Sequence, residues 1–455
     1  MDLVSGTEPQ ENIVFFGTDG IRGKAETLFT AELLHKLGFF SDKVLPKNKP
    51  ILIGQDSRLS SPKIVNGLTD GLMASGREVW LLGLCPTPAV PLLIKKYDAA
   101  GGFMVSASHN PPEDNGIKIF DFNGEKLSSK KKSIIDKGLQ EKSRIISNTR
   151  NNCICRHDLL KEYEESLIQT IEIEDFQGTP IVLDLCWGSA TACGESLFQA
   201  LGAKVTSLNA KPNGNKINVN CGSTHLAEIQ RAVLETKSEM GFAFDGDADR
   251  MIAIDGRGRV VDGDNILYLW GSALKEKNAL PDQRLVSTVM SNLGFEKAWI
   301  TQGGILERTP VGDQNVHKVM VEKQAALGGE QSGHILSKIN GLSGDGFLTA
   351  LQISNICKKK GVKLEGLVDQ SFKPYPQKLI NVPINPKINK DYLSQSRKFQ
   401  TSVKKAELAM GEEGRIFIRK SGTEALLRVM VESSDESIVE FWSSTISKIA
   451  SEEFN

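Results

Sequence analysis

Three consecutive α/β domains with mixed sheets, followed by a smaller C-terminal α+β domain, make up the fold class the sequence predicts, and three observations predict it. The chain has 455 residues, well past the roughly 250–300 at which one hydrophobic core stops growing. Short apolar runs alternate three times with helix-length stretches, the pattern of stacked βαβ units. Beyond about residue 370 the order changes to strand, helix, strand, strand, helix.

In the first domain (1–157), Ile51-Leu-Ile53, a polar turn from Gln55 to Pro62, a helix closing at Gly76 and the run Val79–Leu82 form one such unit. The second (158–257) repeats it with Ile181–Leu185, a helix closing at Gly202, Lys204–Leu208, a further helix and Gly241–Phe244. The third (258–370) follows the Asp255-Gly256 turn with a helix near Asp264–Lys277, a strand at Leu285–Val289 and a helix from Gly346 towards Lys360. In the fourth (371–455), strands at Arg415–Ile418 and Leu427–Val431 precede a closing helix. The box Ser433-Ser-Asp-Glu436 is expected to cap it, and Ile438, Trp442, Ile446 and Ile449 are expected to form its buried stripe.

Composition excludes several classes. Apolar residues and glycine together approach half the chain, which rules out wholesale disorder. With 55 Lys+Arg against 56 Asp+Glu, no global charge points to nucleic acid or an anionic membrane. The apolar stretch Trp80–Ile94 is broken by Pro86, Pro88 and Pro91 and is too short to span a bilayer. Seven cysteines and a start without a basic and apolar leader predict a reduced, cytoplasmic protein. Cys153, Cys155 and His157 lack a second ligand pair at zinc spacing, and Lys130–Lys132 reads as solvated helix surface.

Chemistry concentrates in a few loops. Asp245-Gly-Asp247-Ala-Asp249-Arg250 follows an apolar strand, so three carboxylates converge as a hard-oxygen cation site. The calcium-loop alternative fails, because Arg250 and Gly256 stand where Gly and Glu are needed; Mg²⁺ is the expected ion. Ser106-Ala-Ser108-His109-Asn110-Pro111 puts a serine at a strand-to-loop junction, open to covalent chemistry. Adjacency of Ser108 and His109 does not by itself place the imidazole on the hydroxyl, and no G-x-S-x-G elbow surrounds the serine. Phosphoryl chemistry fits better, since a serine phosphate would complete the cation's oxygen shell.

Arg419-Lys-Ser421-Gly422-Thr423-Glu424, followed by Arg428, combines hydroxyls, a glycine and guanidiniums suited to a second phosphate. Two glycine-rich loops, Gly17–Gly23 with Arg22 and Gly328–His334 with Glu330 and Ser332, offer groups for phosphate and sugar hydroxyls.

Taken together and in order, FGTDGIRG (Phe16–Gly23), SASHNP (Ser106–Pro111), DGDADR (Asp245–Arg250), GEQSGH (Gly329–His334) and RKSGTE (Arg419–Glu424) resemble the α-D-phosphohexomutase superfamily along essentially the whole chain. GEQSGH, with the flanks Asn218–His225 and Thr288–Gly294, is most similar to the branch acting on glucosamine phosphates. The resemblance implies that the four domains surround a central cleft, and that the chain interconverts glucosamine 6-phosphate and glucosamine 1-phosphate, on the route to UDP-N-acetylglucosamine and cell-wall precursors. It implies one Mg²⁺ per chain, glucosamine 1,6-bisphosphate or an equivalent as activator, and a homodimer.

Carried over residue by residue, Ser108 is the phosphoserine. Asp245, Asp247 and Asp249 hold the metal together with a Ser108 phosphate oxygen. Lys118, with His109, Arg22 and Arg250 beside it, gives acid–base and charge assistance. Glu330, Ser332 and His334 read the sugar, while Arg419, Ser421, Gly422, Thr423 and Arg428 grip the phosphate that does not react. Two departures stand out: Ala425 replaces the proline common after SGTE, and Cys186-Trp187 replaces a small polar pair before Gly188. The alternatives are a phosphomannomutase or phosphoglucomutase of the same superfamily, a phosphatase using the same metal, and a phosphosugar sensor without turnover.

Overall fold

The computed structural model describes residues 16–17, 20–141, 152–171, 176–339, 341–386, 388, 390–421 and 425–455. They fall into two compact units, 1–260 with 334–364, and 261–333 with 365–455.

The first unit holds two sheets. Its six-stranded sheet comprises β1 (Ile21–Lys24), β2 (Ile51–Gln55), β3 (Val79–Leu84), β4 (Gly101–Val105), β5 (Asp114–Asp121) and β6 (Cys153–Cys155) in the order β1-β5-β4-β2-β3-β6. Pairing is parallel from β4 through β6 and antiparallel at β5 and β1, so the sheet is mixed. Strand β4 is buried along its whole length, as a central strand covered on both faces must be. Lys118 and Asp121 break the apolar run of β5, yet that strand is also almost wholly buried; its polar residues face work inside the fold. Leu34, Leu37, Leu68 and Leu72 pack from helices Ala31–Ser41 and Ser61–Ala74 into the core with Ile51, Ile53 and Phe103. Gly20 is required where β1 enters: a Cβ there would lie 2.1 Å from the Ile117 carbonyl oxygen.

The second sheet of this unit contains β7 (Pro180–Asp184), β8 (Lys204–Leu208), β9 (Met240–Phe244) and β10 (Met251–Asp255). Strand β7 runs parallel to β8 and β9, and β10 returns antiparallel to β9 with Met251 opposite Phe244. The six residues Asp245–Arg250 are therefore a hairpin connection between two buried strands. The boundary between units falls at β11 (Val260–Val261).

In the second unit, β12 (Arg284–Thr288) lies parallel to both β13 (Ile305–Thr309) and β14 (Leu327–Gly329); β15 (Ile335–Ser337) and the helix Gly346–Lys360 belong to the first unit. An antiparallel sheet orders β16 (Gln377–Pro383), β18 (Leu426–Ser433) and β17 (Gly414–Lys420) with β18 central. Helices Arg397–Met410 and Glu436–Phe454 cover it.

That last helix corrects two expectations. Ser433 ends β18 and lies outside the helix; the cap is Asp435, whose side chain accepts from Ser437 N, because Asp is as good a capping residue as Ser and stands two positions nearer the first turn. The fully buried stripe is Val439, Ser443, Ile446, Ala450 and Phe454, with Ile438, Trp442 and Ile449 only partly buried at its margins. Ser443 and Ala450 share this stripe with Val439, Ile446 and Phe454, so it alternates small and large side chains that pack closely together.

Candidate active site

Ser108 follows β4 at the carboxyl end of that strand, where ligands gather in open α/β sheets. It is buried and holds a left-handed backbone, φ 54°, a conformation a non-glycine residue keeps only when its surroundings insist. They do so at several atoms. Ser108 N donates to Ser106 Oγ at 2.9 Å, and Ser106 Oγ in turn donates to Asp56 at 2.6 Å. Arg58, 1% exposed, pairs with Asp56 at 2.9 Å and donates to the carbonyls of Ser108 (2.9 Å), Asn110 (2.8 Å) and Asp114 (2.9 Å).

The side chain of Ser108 is held as firmly. Its Oγ donates to Asp245 Oδ2 at 2.6 Å and lies 3.2 Å from His109 Nδ1. The imidazole does reach the hydroxyl, a point adjacency in sequence left open. Burial, then the charges of Arg250 and Arg22, push His109 down to about 4, so the ring is neutral at physiological pH.

Asp245, Asp247 and Asp249 are buried, and one oxygen from each lies within 4.8 Å of the others. Burial, then Asp249 and Asp247, raise Asp245 to about 8: three carboxylates packed this closely cannot all stay ionised without added positive charge. Some of that charge comes from Lys118. Projecting from β5, its Nζ stands 2.6 Å from both Asp247 Oδ2 and Asp249 Oδ2. Burial pushes Asp249 up, but Lys118, His334 and Arg250 outweigh it and hold that carboxyl well below its ordinary value. Arg250 N donates to Asp245 Oδ1 at 3.2 Å, and His334 Nδ1 lies 3.4 Å from Asp249 Oδ1.

The donor set fits a hard divalent cation on two counts. All three ligands are carboxylates, and Asp247 Oδ1 is buried with no hydrogen-bond partner among the described residues. Its other oxygen is already taken by Lys118 and by the Thr87 hydroxyl.

Four contributors escaped the sequence reading. Arg58 and Asp56 lie in the segment read as a polar turn after β2; the spacing of acid and base at i and i+2 behind a buried strand is the signal that marks them. Thr87 lies within the proline-broken stretch and also donates its N–H to the Asp247 carbonyl at 2.9 Å. Asn218, known only as part of a flanking motif, donates to the carbonyls of Ser108 (2.8 Å) and Asn110 (2.9 Å).

The other expected residues belong to the second unit. Glu330 is buried and accepts from Gly312 N at 3.0 Å, while Ser332 is exposed on the turn closed by Gly333 N to Glu330 O. The turn is packed tightly from behind: a Cβ on Gly263 would lie 2.0 Å from the Glu330 carbonyl oxygen. Arg419 on β17 and Arg428 on β18 are directly opposed across the ladder. Partial burial and then the charge of Arg428 lower the Arg419 guanidinium. Two like charges face to face cost free energy, which an anion laid across both would recover. Ser421 is buried and its N–H closes the loop onto the Leu426 carbonyl at 2.8 Å. Gly422 and Thr423 lie outside the described residues.

Family models match the chain in four pieces: the phosphoglucomutase/phosphomannomutase α/β/α domains I (residues 14–145), II (161–258) and III (262–375), and the C-terminal domain (379–446). The chain belongs to the phosphoglucomutase/phosphomannomutase family. Among its relatives, the phosphoglucosamine mutase of Prochlorococcus marinus is 62% identical over 453 residues, covering 99% of this chain and 98% of that one. The enzyme of the same name from a Synechococcus strain is 54% identical, covering 98% of each. Of solved structures, a phosphoglucomutase/phosphomannomutase family protein from Burkholderia thailandensis superposes with a TM-score of 0.81 at 23% identity, over 97% of this chain and 98% of that one. The Aspergillus fumigatus N-acetylphosphoglucosamine mutase, solved with GlcNAc-6P and magnesium, gives 0.70 at 18% identity over 97% and 96%.

Proposed function

We infer that the chain is an isomerase that interconverts glucosamine 6-phosphate and glucosamine 1-phosphate by intramolecular phosphoryl transfer through Ser108. The observation that carries the reading is the buried contact between Ser108 Oγ and the three-carboxylate cluster, in a chain 62% identical to a phosphoglucosamine mutase along its whole length.

Phospho-Ser108 gives its phosphoryl group to the free C1 hydroxyl of glucosamine 6-phosphate, whose proton leaves to a base, giving the 1,6-bisphosphate and free Ser108. The bisphosphate turns over and returns its 6-phosphoryl group to Ser108 Oγ, leaving glucosamine 1-phosphate. Asp245, Asp247 and Asp249 would hold a Mg²⁺ ion, which when bound would neutralise charge on the transferring group. His109, neutral and 3.2 Å from Oγ, is placed to take the serine proton. Lys118, Arg22 and Arg250 carry positive charge around the same atoms.

Glu330, Ser332 and His334 read the sugar, and Arg419, Ser421, Gly422, Thr423 and Arg428 hold the second phosphate in either orientation, so that remote binding energy positions the reacting end. A trace of the 1,6-bisphosphate keeps Ser108 phosphorylated. Seven cysteines, none in a disulfide, fit a reducing cytoplasm.

The test is initial mutase rate, with Mg²⁺ and a trace of the matching 1,6-bisphosphate, on glucosamine, glucose and mannose 6-phosphates in parallel. A kcat/KM at least about tenfold higher for the amino sugar is expected, because a site built for a polar substituent rejects its replacement. A preference for glucose or mannose phosphate would keep the chemistry and overturn the substrate.

A further inference from the structure

Asn218 lies on a loop that no transfer step uses, yet it touches the reacting segment more closely than most residues that do. Its backbone is left-handed, φ 61°, and its side chain is buried. The carboxamide Nδ2 donates to Ser108 O at 2.8 Å and Asn110 O at 2.9 Å, while Oδ1 accepts from the Cys186 thiol at 3.1 Å. The opposite orientation of the amide would set Oδ1 against two carbonyl oxygens, so the network itself fixes which end is nitrogen.

Arg58 donates to the same two carbonyls, but Arg58 follows β2 and belongs to the sheet that carries the serine loop. Asn218 belongs to the segment with β7 to β10, whose β9–β10 hairpin bears the three aspartates. The hairpin is packed into the same spot: a Cβ on Gly246 would lie 2.6 Å from Ser108 O and 2.9 Å from Asn218 Nδ2. Holding Ser108 O anchors the peptide plane that follows a residue already in a strained conformation, and thereby the backbone from which its Cα–Cβ bond carries Oγ towards Asp245.

We propose that Asn218 is a positioning residue that latches the Ser108 loop to the sheet carrying the aspartates, so that its carboxamide sets the distance between Ser108 Oγ and the metal ligands. The inference rests on the assignment of Ser108 as the phosphoryl carrier and adds to it the residue that aligns the carrier. Without the latch, the phosphoseryl group samples misaligned poses and is more open to water. Attack by water yields inorganic phosphate and free Ser108 in place of transfer to sugar.

Two substitutions separate the carboxamide from the backbone. Asn218→Asp keeps the size and tolerates left-handed φ but has no N–H to donate; Asn218→Gly accepts the backbone and removes the side chain. Each is prepared as the Mg²⁺-loaded phosphoenzyme beside wild type. Measurements are kcat and KM for glucosamine 6-phosphate, and the lifetime of the Ser108 phosphate without sugar, followed by intact mass.

The expected result for both variants is a kcat lower by about tenfold to a hundredfold, KM within about threefold of wild type, and a phosphoserine lifetime shortened several-fold. Wild-type kcat and lifetime in folded Asn218→Gly overturn the proposal, as does a rise in KM at unchanged kcat. Loss in Asn218→Asp alone, which would report repulsion of the carbonyls, overturns it too. Failure of wild type to hold phosphate on Ser108 would instead strike the assignment of Ser108, and is read in the same mass spectra before any variant is compared.

Discussion

Around Ser108 the polar groups are buried and most are already partnered, Asp247 Oδ1 excepted. Lys118 sits between two aspartates, Arg58 is bonded to Asp56 and a row of carbonyls, and Thr87 holds Asp247. Around β17 and β18 the arrangement is the reverse: Arg419 and Arg428 face each other half-exposed, and Ser421 meets a loop whose next residues lie outside the described set. The first region is preorganised at a cost in desolvation, and the second holds repulsion that a ligand relieves. Preorganisation suits atoms whose geometry decides rate; stored repulsion suits a station that must accept and release a phosphate.

That contrast is testable through what each region loses. On the proposed mechanism Ser108→Ala removes the carrier itself, and turnover on glucosamine 6-phosphate is expected to fall by at least about a thousandfold, with the far-ultraviolet spectrum unchanged; residual activity near wild type would break the contrast at its root. Arg58→Met leaves Asp56 fully buried without its ion partner and four carbonyls without that donor, so unfolding in urea is expected to show a loss of about 3–5 kcal/mol. An Arg58→Met enzyme as stable as wild type would mean that the buried network is not what organises the loop.

In the open region the signs differ. Arg428→Met is expected to raise KM for either phosphosugar roughly tenfold to a hundredfold, the cost of one charge-assisted hydrogen bond. It should also stabilise the unliganded protein slightly, by less than about 1 kcal/mol, as the facing charge disappears. Urea midpoints with and without substrate check both signs.

An effect that appears only as the pH rises is again in the buried region. Burial pushes Asp345 up to about 6 from 3.8, although it accepts from Tyr163 and Leu348 N. A raised folded value means the folded state holds the proton where the unfolded chain has released it. Its favourable contribution is complete below about pH 3.8 and is lost as pH rises through 6. Asp345→Asn keeps a capping oxygen and removes the ionisation, so at pH 7.5 it is expected to stabilise by on the order of 2 kcal/mol, with no gain at pH 4. Equal urea midpoints for Asp345→Asn and wild type at pH 7.5 would contradict the shift.

Legibility followed the same divide. The alternation of apolar runs and helix-length stretches was enough for four α/β-type domains, and the five loops were visible because each packs several chemical side chains into a few consecutive residues. Strand β5 was hidden, since Lys118 and Asp121 interrupt its apolar run although the strand is buried. The supports of Ser108 were hidden for a different reason. Asp56 and Arg58, Thr87, and Asn218 come from three separate loops and converge only in three dimensions, the longest link being the 160 positions from Thr87 to Asp247. The closing helix shows a third limit, because Asp435 and Ser433 are both good caps and only the backbone decides between them.

One measurement bears most directly on the transfer through Ser108. The enzyme is charged with radiolabelled phosphate from a 1,6-bisphosphate, freed of excess label, and mixed with unlabelled glucosamine 6-phosphate while the Ser108 peptide and the sugar pool are followed over single turnovers. The account predicts that label leaves Ser108 and appears in sugar phosphate at the rate of the first turnover, and that Ser108→Ala takes up none. Product formed at the full rate while label stays on the protein, or never reaches Ser108, would contradict it.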